Sequence, residues 1–352
     1  MKRTINVTII VIILLAITAS GALAGSKARR PAILASADRV VELQRTDTGW
    51  DGTWYWYVGS TYNATNLTGA TALGLLEAYN DTKDEAYLDA AKDAASFIMT
   101  HLGAGATSLP PHYPRLTAAD VVFLHMLSLA TGDPQYATRA VSEWNNLKIS
   151  YPTVAVLDAR FRSINRRSTW DIAFFMEAAY LSGDTTWADG AAAILADLDE
   201  TFYYGTDTWW HALNVAGSLR ALVYCGYGET YNSDVTTLLT MLIQLVDDDT
   251  GVGGYIQDTA YAVLAFRAVG GAAHRYANDL ARWIAENQED DGGWLEGGDE
   301  YPEVDGEALR ALASTIGSNN TLDGFNYGNY QVMNSSWMRD LNSGKAEPFT
   351  GE

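Results

Sequence analysis

A single cysteine, Cys225, stands in a chain of 352 residues. That excludes an internal disulfide framework, so stability must come from the buried core. Cations are scarce too: 23 Lys and Arg face 43 Asp and Glu, for a formal net charge of −20. A surface so acidic repels nucleic-acid phosphates and anionic lipid heads, which excludes nucleic acid as a partner. The five histidines never stand at ligand spacing from Cys225, so neither a bound metal nor a cofactor is expected. Past the N-terminus, no apolar run is long enough to span a bilayer.

The exception at the N-terminus has the order of a secretory leader. Lys2 and Arg3 precede an apolar stretch from Val7 to Ile17, and Ala22, Leu23 and Ala24 precede Gly25. This predicts a signal peptide at 1–24, cleavage after Ala24, export to the extracellular space or cell surface, and no membrane contact afterwards, the alternative being a leader kept as an uncleaved anchor. Asn63, Asn66, Asn80, Asn319 and Asn334 each begin an Asn-x-Ser/Thr sequon, as an exported glycoprotein would have.

The remainder is too long for one ordinary core unless the architecture is repetitive, and it is. VVELQRTDTGWDG at 40–52, MLIQLVDDDTGVGGY at 241–255 and WIAENQEDDGGW at 283–294 share one layout. An amphipathic helix ends near a Gln, a turn rich in Asp and Gly follows, and an aromatic closes it: Trp50, Tyr255 or Trp294. A second helix rich in small and apolar residues comes next. The same spacing predicts six hairpins. Their first helices run near 31–45, 84–102, 134–147, 185–202, 231–246 and 274–288. Their second helices lie near 66–79, 116–130, 168–181, 208–224, 257–269 and 303–314. Amphipathic first helices suit an outer ring, and second helices apolar nearly all round suit an inner one. The expectation is an all-α fold, an (α/α)6 toroid of inner and outer helix rings over 25–320, with an aromatic tail at 321–352 that packs on it or stays disordered.

The turns NQEDDGGW and LQRTDTGW resemble the Gln…Gly-Trp repeats of squalene cyclases and protein prenyltransferase β subunits, the terpenoid cyclase-like toroids. NLTGATALGLLEAYNDTKDEAYLDAA resembles more faintly the early helices of toroidal polysaccharide lyases. What the resemblance implies is the toroid. It does not fix the chemistry, because one fold hosts many activities. The Asp-x-Asp-Asp acid of the cyclases and the zinc ligands of the prenyltransferases are both missing here.

Position then selects candidates. The longest links from outer to inner helices, 46–65, 103–116 and 148–167, open on one rim at the N-termini of the inner helices, where the helix dipoles favour anions. The first carries Trp54, Trp56 and Tyr62, a density of aromatic faces that suits either sugar stacking or a hydrophobic plug. The third carries Arg162, Arg166 and Arg167, whose guanidinium groups suit carboxylate or sulfate on a ligand. Trp170 and Trp210 flank the inner-helix starts. Asp120 there is a candidate ligand-binding residue. Asp171, His211, Asp258, Asp305 and Glu307 are candidates for proton transfer, against the commoner role of such residues in helix capping. Two functions are open on this pattern. One is an exported carbohydrate-active enzyme, a lyase or hydrolase of an acidic polysaccharide. The other is a non-catalytic surface toroid that binds glycans or envelope proteins.

Overall fold

A computed structural model describes residues 29–64, 66–102, 117–163, 169–197 and 211–316. The leader at 1–24, the link at 103–116, Arg166, Arg167, Trp210 and the tail at 321–352 lie outside the described residues.

Thirteen helices make up the described fold, which is all-α. In chain order they are α1 (29–42), α2 (Thr68–Thr82), α3 (Glu85–Phe97), α4 (Ala118–Thr131), α5 (Pro134–Leu147), α6 (Val154–Ser163) and α7 (Thr169–Leu181). They continue with α8 (Thr185–Ala196), α9 (His211–Tyr224), α10 (Asn232–Gln244), α11 (Ile256–Val269), α12 (His274–Glu286) and α13 (Pro302–Ser314). The only strands among the described residues are two short antiparallel hairpins in the repeat turns: β1 (Val246–Asp247) with β2 (Gly251–Val252), and β3 (Leu295–Glu296) with β4 (Asp299–Glu300).

Local chemistry sets the helix boundaries. Asp84 accepts the amide of Ala86 to start α3, and Asp133 accepts that of Gln135 before Pro134 opens α5. Thr117 and Asp120 form a reciprocal capping box on α4. In α12 the buried residues are Ala277, Leu280, Ala281 and Ile284, a single stripe. In α9 every residue from His211 to Val223 is buried, as expected of a helix with neighbours on all sides.

Packing follows the two classes of helix. α2 packs on α4, α4 on α7, α7 on α9, α9 on α11 and α11 on α13, and α13 returns to α2 in the most extensive helix contact among the described residues. Each of α3, α5, α8, α10 and α12 packs chiefly on the helix before it across a short link, α2, α4, α7, α9 and α11 in turn, rather than on the second helix of its own predicted hairpin. Between α12 and α3 lies α1: Arg29 donates to the Asn278 carbonyl at 3.0 Å, and Asp38 accepts from the Tyr87 hydroxyl at 2.9 Å. Arg39 of α1 also grips Glu300 with two hydrogen bonds, 2.8 and 2.9 Å. Glu177 of α7 and Arg220 of α9 form a fully buried ion pair. Losing one partner of such a pair costs about 3–5 kcal/mol.

The Gln-and-Trp turns hold the hairpins together. Gln288 donates to the carbonyl of Gly292 in its own turn and to that of Ala32 in α1, both at 2.9 Å. Gln44 does the same, to Gly52 at 3.1 Å and to Ala90 in α3 at 2.8 Å. The indoles of Trp294 and Trp54 are fully buried and donate to Ile284 and Val40 of the preceding outer helix. The counterpart of Trp294 is therefore Trp54, rather than Trp50 as the spacing suggested, because the first turn is four residues longer. Both turns need glycine. Gly52 and Gly292 adopt φ +89° and +97°, and a Cβ on either would stand 2.2–2.3 Å from a carbonyl of the next outer helix.

One predicted link is in fact largely helical: 148–167 contains α6, which packs on α8. Val154 approaches where Gly190 leaves room, and a Cβ there would lie 2.5 Å from the Val154 methyl. Hence Arg162 stands in a helix rather than a loop.

The contact of α13 with α2 is close enough to exclude side chains. A Cβ at Gly74 would fall 2.1 Å from the carbonyl oxygen of Gly306, and one at Gly306 would fall 2.5 Å from the Cα of Thr71. Helix propensity alone favours Gly74→Ala by about 1 kcal/mol. The clash with fixed backbone dominates, so we expect a net loss of about 1–3 kcal/mol. Urea unfolding of the variant checks this; an unchanged or raised midpoint would contradict the packing.

Candidate functional site

Carboxylic acids are buried in the first turns of α4, α11 and α13. Asp258 lies in the first turn of α11 and accepts the backbone N–H of Leu213 in α9. Asp120 holds the Gly69 amide of α2 at 2.9 Å as well as the amide and hydroxyl of its own cap residue, Thr117. Asp305 of α13 accepts the Trp294 amide at 2.9 Å. Each acid therefore ties the start of its helix to a neighbouring element. The helix-capping role expected of such residues extends here across the packing interfaces.

Glu307, one turn into α13, belongs to a different arrangement. Its carboxyl accepts the Tyr261 hydroxyl at 2.7 Å and the Gln257 side-chain amide at 2.8 Å. The backbone N–H of Gln257 donates to Glu296, on the β3–β4 hairpin, at 2.7 Å. One glutamine thus joins two carboxyl groups from different elements. Asp258, its neighbour in sequence, interacts electrostatically with both. Glu296 is half-buried, whereas Asp258 and Glu307 are buried. Sequence reasoning missed Glu296, Gln257 and Tyr261. Glu296 sits in a Gly-rich turn that read as a connection, and the other two are unremarkable residues of an apolar helix.

Burial shifts these acids toward their protonated forms. It raises Asp258 to about 8, helped by repulsion from Glu296 and Glu307. Burial also lifts Glu307 to about 7, against the stabilising hydrogen bonds of Tyr261 and Gln257. Asp120 rises to about 7 for the same reason, despite three donors. Asp305 is pushed up strongly by burial and by the adjoining Glu300 carboxylate, and Glu296 moves up by burial.

The aromatic loop divides between plug and rim. Trp54 is core, as its role in the turn requires. Arg45 is buried under the rings of Trp50 and Tyr55, 4.9 and 4.0 Å from their centroids, and its guanidinium is fixed by Asp47 and Asn63. The far side of the loop crosses to the last hairpin, where Val58 N–H donates to the Glu300 carbonyl at 2.9 Å. Trp56 and Tyr57 meet Tyr301 edge-on with centroids 6.2 and 6.1 Å apart. Tyr301 also lies within the electrostatic reach of Glu296. Tyr62 is exposed.

The other predicted residues are distributed as follows. His211 is buried at the first position of α9, two residues before the Leu213 amide that Asp258 holds. Trp170 and Asp171 stand in the first turn of α7, and Arg162 in the last turn of α6. Asp258 and Glu307 come together, and Asp120 belongs to the α2–α4 interface. Among the described residues, no group of three or more His, Cys, Asp or Glu is placed to hold a metal ion, and no helix is long and apolar enough to cross a membrane. Comparison of the sequence with known family models and with curated proteins gives no match.

The raised acids have a consequence for stability. A carboxyl with a higher pKa folded than unfolded binds more protons in the folded state, so its contribution declines as pH climbs from the unfolded value to the folded one. For Asp258 that window runs from 3.8 to about 8. Asp47 and Asp184, held low by Arg45 and Lys148, contribute fully throughout the upper part of it. The melting temperature should therefore fall by several degrees from about pH 5 to about pH 8, and Asp258→Asn should flatten the fall. Calorimetry across this range checks it; a melting temperature that rises with pH would contradict the assignment.

Proposed function

We propose that the chain is a six-hairpin α/α toroid, exported from the cell, that binds and cleaves a glycan at the rim formed by the starts of its inner helices. The return of α13 onto α2 supports the toroid, as does the packing of α3, α5, α8, α10 and α12 each on the helix that precedes it. The leader-like order of residues 1–24 supports export.

The observation that carries the catalytic reading is the Glu296–Gln257–Glu307 bridge with Asp258 beside it, and with Tyr301, which Trp56 and Tyr57 meet edge-on, within the electrostatic reach of Glu296. Glycosidic bond cleavage needs one carboxyl group that is protonated at working pH and a second that is ionised. Burial raises Asp258 to about 8 and Glu307 to about 7, so either carries a proton near neutrality often enough to serve as the acid that protonates the leaving oxygen. Burial raises Glu296 too, but it is more exposed and two backbone N–H groups offset part of that shift, so it serves as the base. That base activates a water in a hydrolase or takes a ring proton in a lyase. Aromatic faces at the rim suit the apolar side of a sugar ring. An acidic polysaccharide is the preferred substrate because Arg162, Arg166 and Arg167 cluster in sequence just before α7. The net charge argues against nucleic acid.

A non-catalytic surface toroid that binds glycans or envelope proteins is the second reading. It is favoured by the structural ties that Asp120, Asp258 and Asp305 already make to backbone amides.

The test is a panel of acidic and neutral polysaccharides incubated with residues 25–352, followed by ultraviolet absorbance for unsaturated uronate products and by reducing ends. We expect product from at least one polysaccharide and a loss of about 100-fold or more in rate for Glu307→Gln or Glu296→Gln, the usual scale for removing an acid or base. Binding without either product, unchanged by these variants, would favour the non-catalytic toroid.

A further inference from the structure

Three of the five sequons fall at or around α2, and the fold treats them differently. Asn63 is half-buried and bridge-paired with Tyr55, and its side-chain oxygen accepts from the buried Arg45 at 2.6 Å. A sugar on its amide nitrogen would crowd the Arg45, Trp50 and Tyr55 stack that fixes the base of the aromatic loop. Asn80 is half-buried in the last turn of α2 and accepts from Lys83. Asn66 is exposed, in a bend two residues before α2 begins. Asn319 and Asn334 lie outside the described residues.

We propose that Asn66 is an N-glycan acceptor when the chain passes through a compartment with an oligosaccharyltransferase, and that the sugar is attached before α2 packs. This rests on the export reading and is independent of the catalytic one. In the transfer, the Asn66 side-chain nitrogen attacks the anomeric carbon of a lipid-phosphate-linked oligosaccharide. A C–N bond forms, the C–O bond to the lipid phosphate breaks, and the amide proton leaves with that phosphate. The timing follows from Thr68, the hydroxyl residue that the transferase must engage. In the fold Thr68 is wholly buried, at the first position of α2, and its hydroxyl is hydrogen-bonded to that of Thr53 at 2.7 Å. The folded sequon is closed to the enzyme, but the exposed Asn66 side chain lets the modified chain fold with its sugar in solvent.

The experiment is secretion of residues 25–352 behind a host leader in a cell that performs N-glycosylation, with peptide mapping by mass spectrometry before and after enzymatic removal of N-glycans. We expect sugar on most copies of the Asn66 peptide, its loss in Asn66→Gln with the circular dichroism unchanged, and retention in Thr68→Ser, which keeps the sequon. Folded protein from a host without the pathway, incubated with purified transferase and donor, should remain unmodified at Asn66. Secreted protein bare at Asn66 would overturn the acceptor assignment, and modification of the folded protein would overturn the timing.

Discussion

The described fold depends on two helices far apart in sequence lying backbone against backbone. Gly74 and Gly306 bring α2 and α13 so close that any side chain at either position would overlap the partner's main chain. Dispersion contacts are individually small, and their sum grows with the number of atoms at the optimal distance. A glycine pair converts side-chain separation into direct packing, which is why this is the most extensive helix contact among the described residues. Because α13 is the last described helix and α2 the second, the same contact joins an early part of the described fold to its last part. Arg39 on Glu300 and Gln288 on Ala32 repeat that junction in the outer layer.

The helices packed on either side of this contact bury acids near their starts. Each isolated buried carboxylate would be costly, and the cost is met in two ways. Some acids accept a neighbouring helix's amide, as Asp120 does from Gly69 and Asp258 from Leu213. All keep their protons to higher pH than usual. The feature that stabilises these acids at mildly acidic pH is thus the one on which the proposed catalysis draws for its proton donors. Gln257 has the central position, because its backbone and side chain each hold a different carboxyl group.

Much of this was legible in the sequence where a residue acts through local geometry. The stripe of Ala277, Leu280, Ala281 and Ile284 announces an outer helix, and Gln288 with Trp294 announces the turn after it. Legibility failed where the outcome depends on what a segment meets. The extra four residues between Gln44 and Trp54 concealed which tryptophan anchors that turn. The helix α6 was hidden because its apolar residues find their partner only where Gly190 opens a space on α8. Of the candidate site, Asp258 and Glu307 were visible as acids at inner-helix starts. Glu296 was not, since its role comes from a hairpin that folds back over α11.

Native-state hydrogen exchange in low denaturant, resolved by helix, tests the α2–α13 junction most directly. If that contact unites the two ends of the described fold, the amides of α2 and α13 should open together, with one common free energy and at the slow end of the molecule. If α13 and its hairpin exchange well ahead of α2, these two parts of the described fold are not held together by this contact.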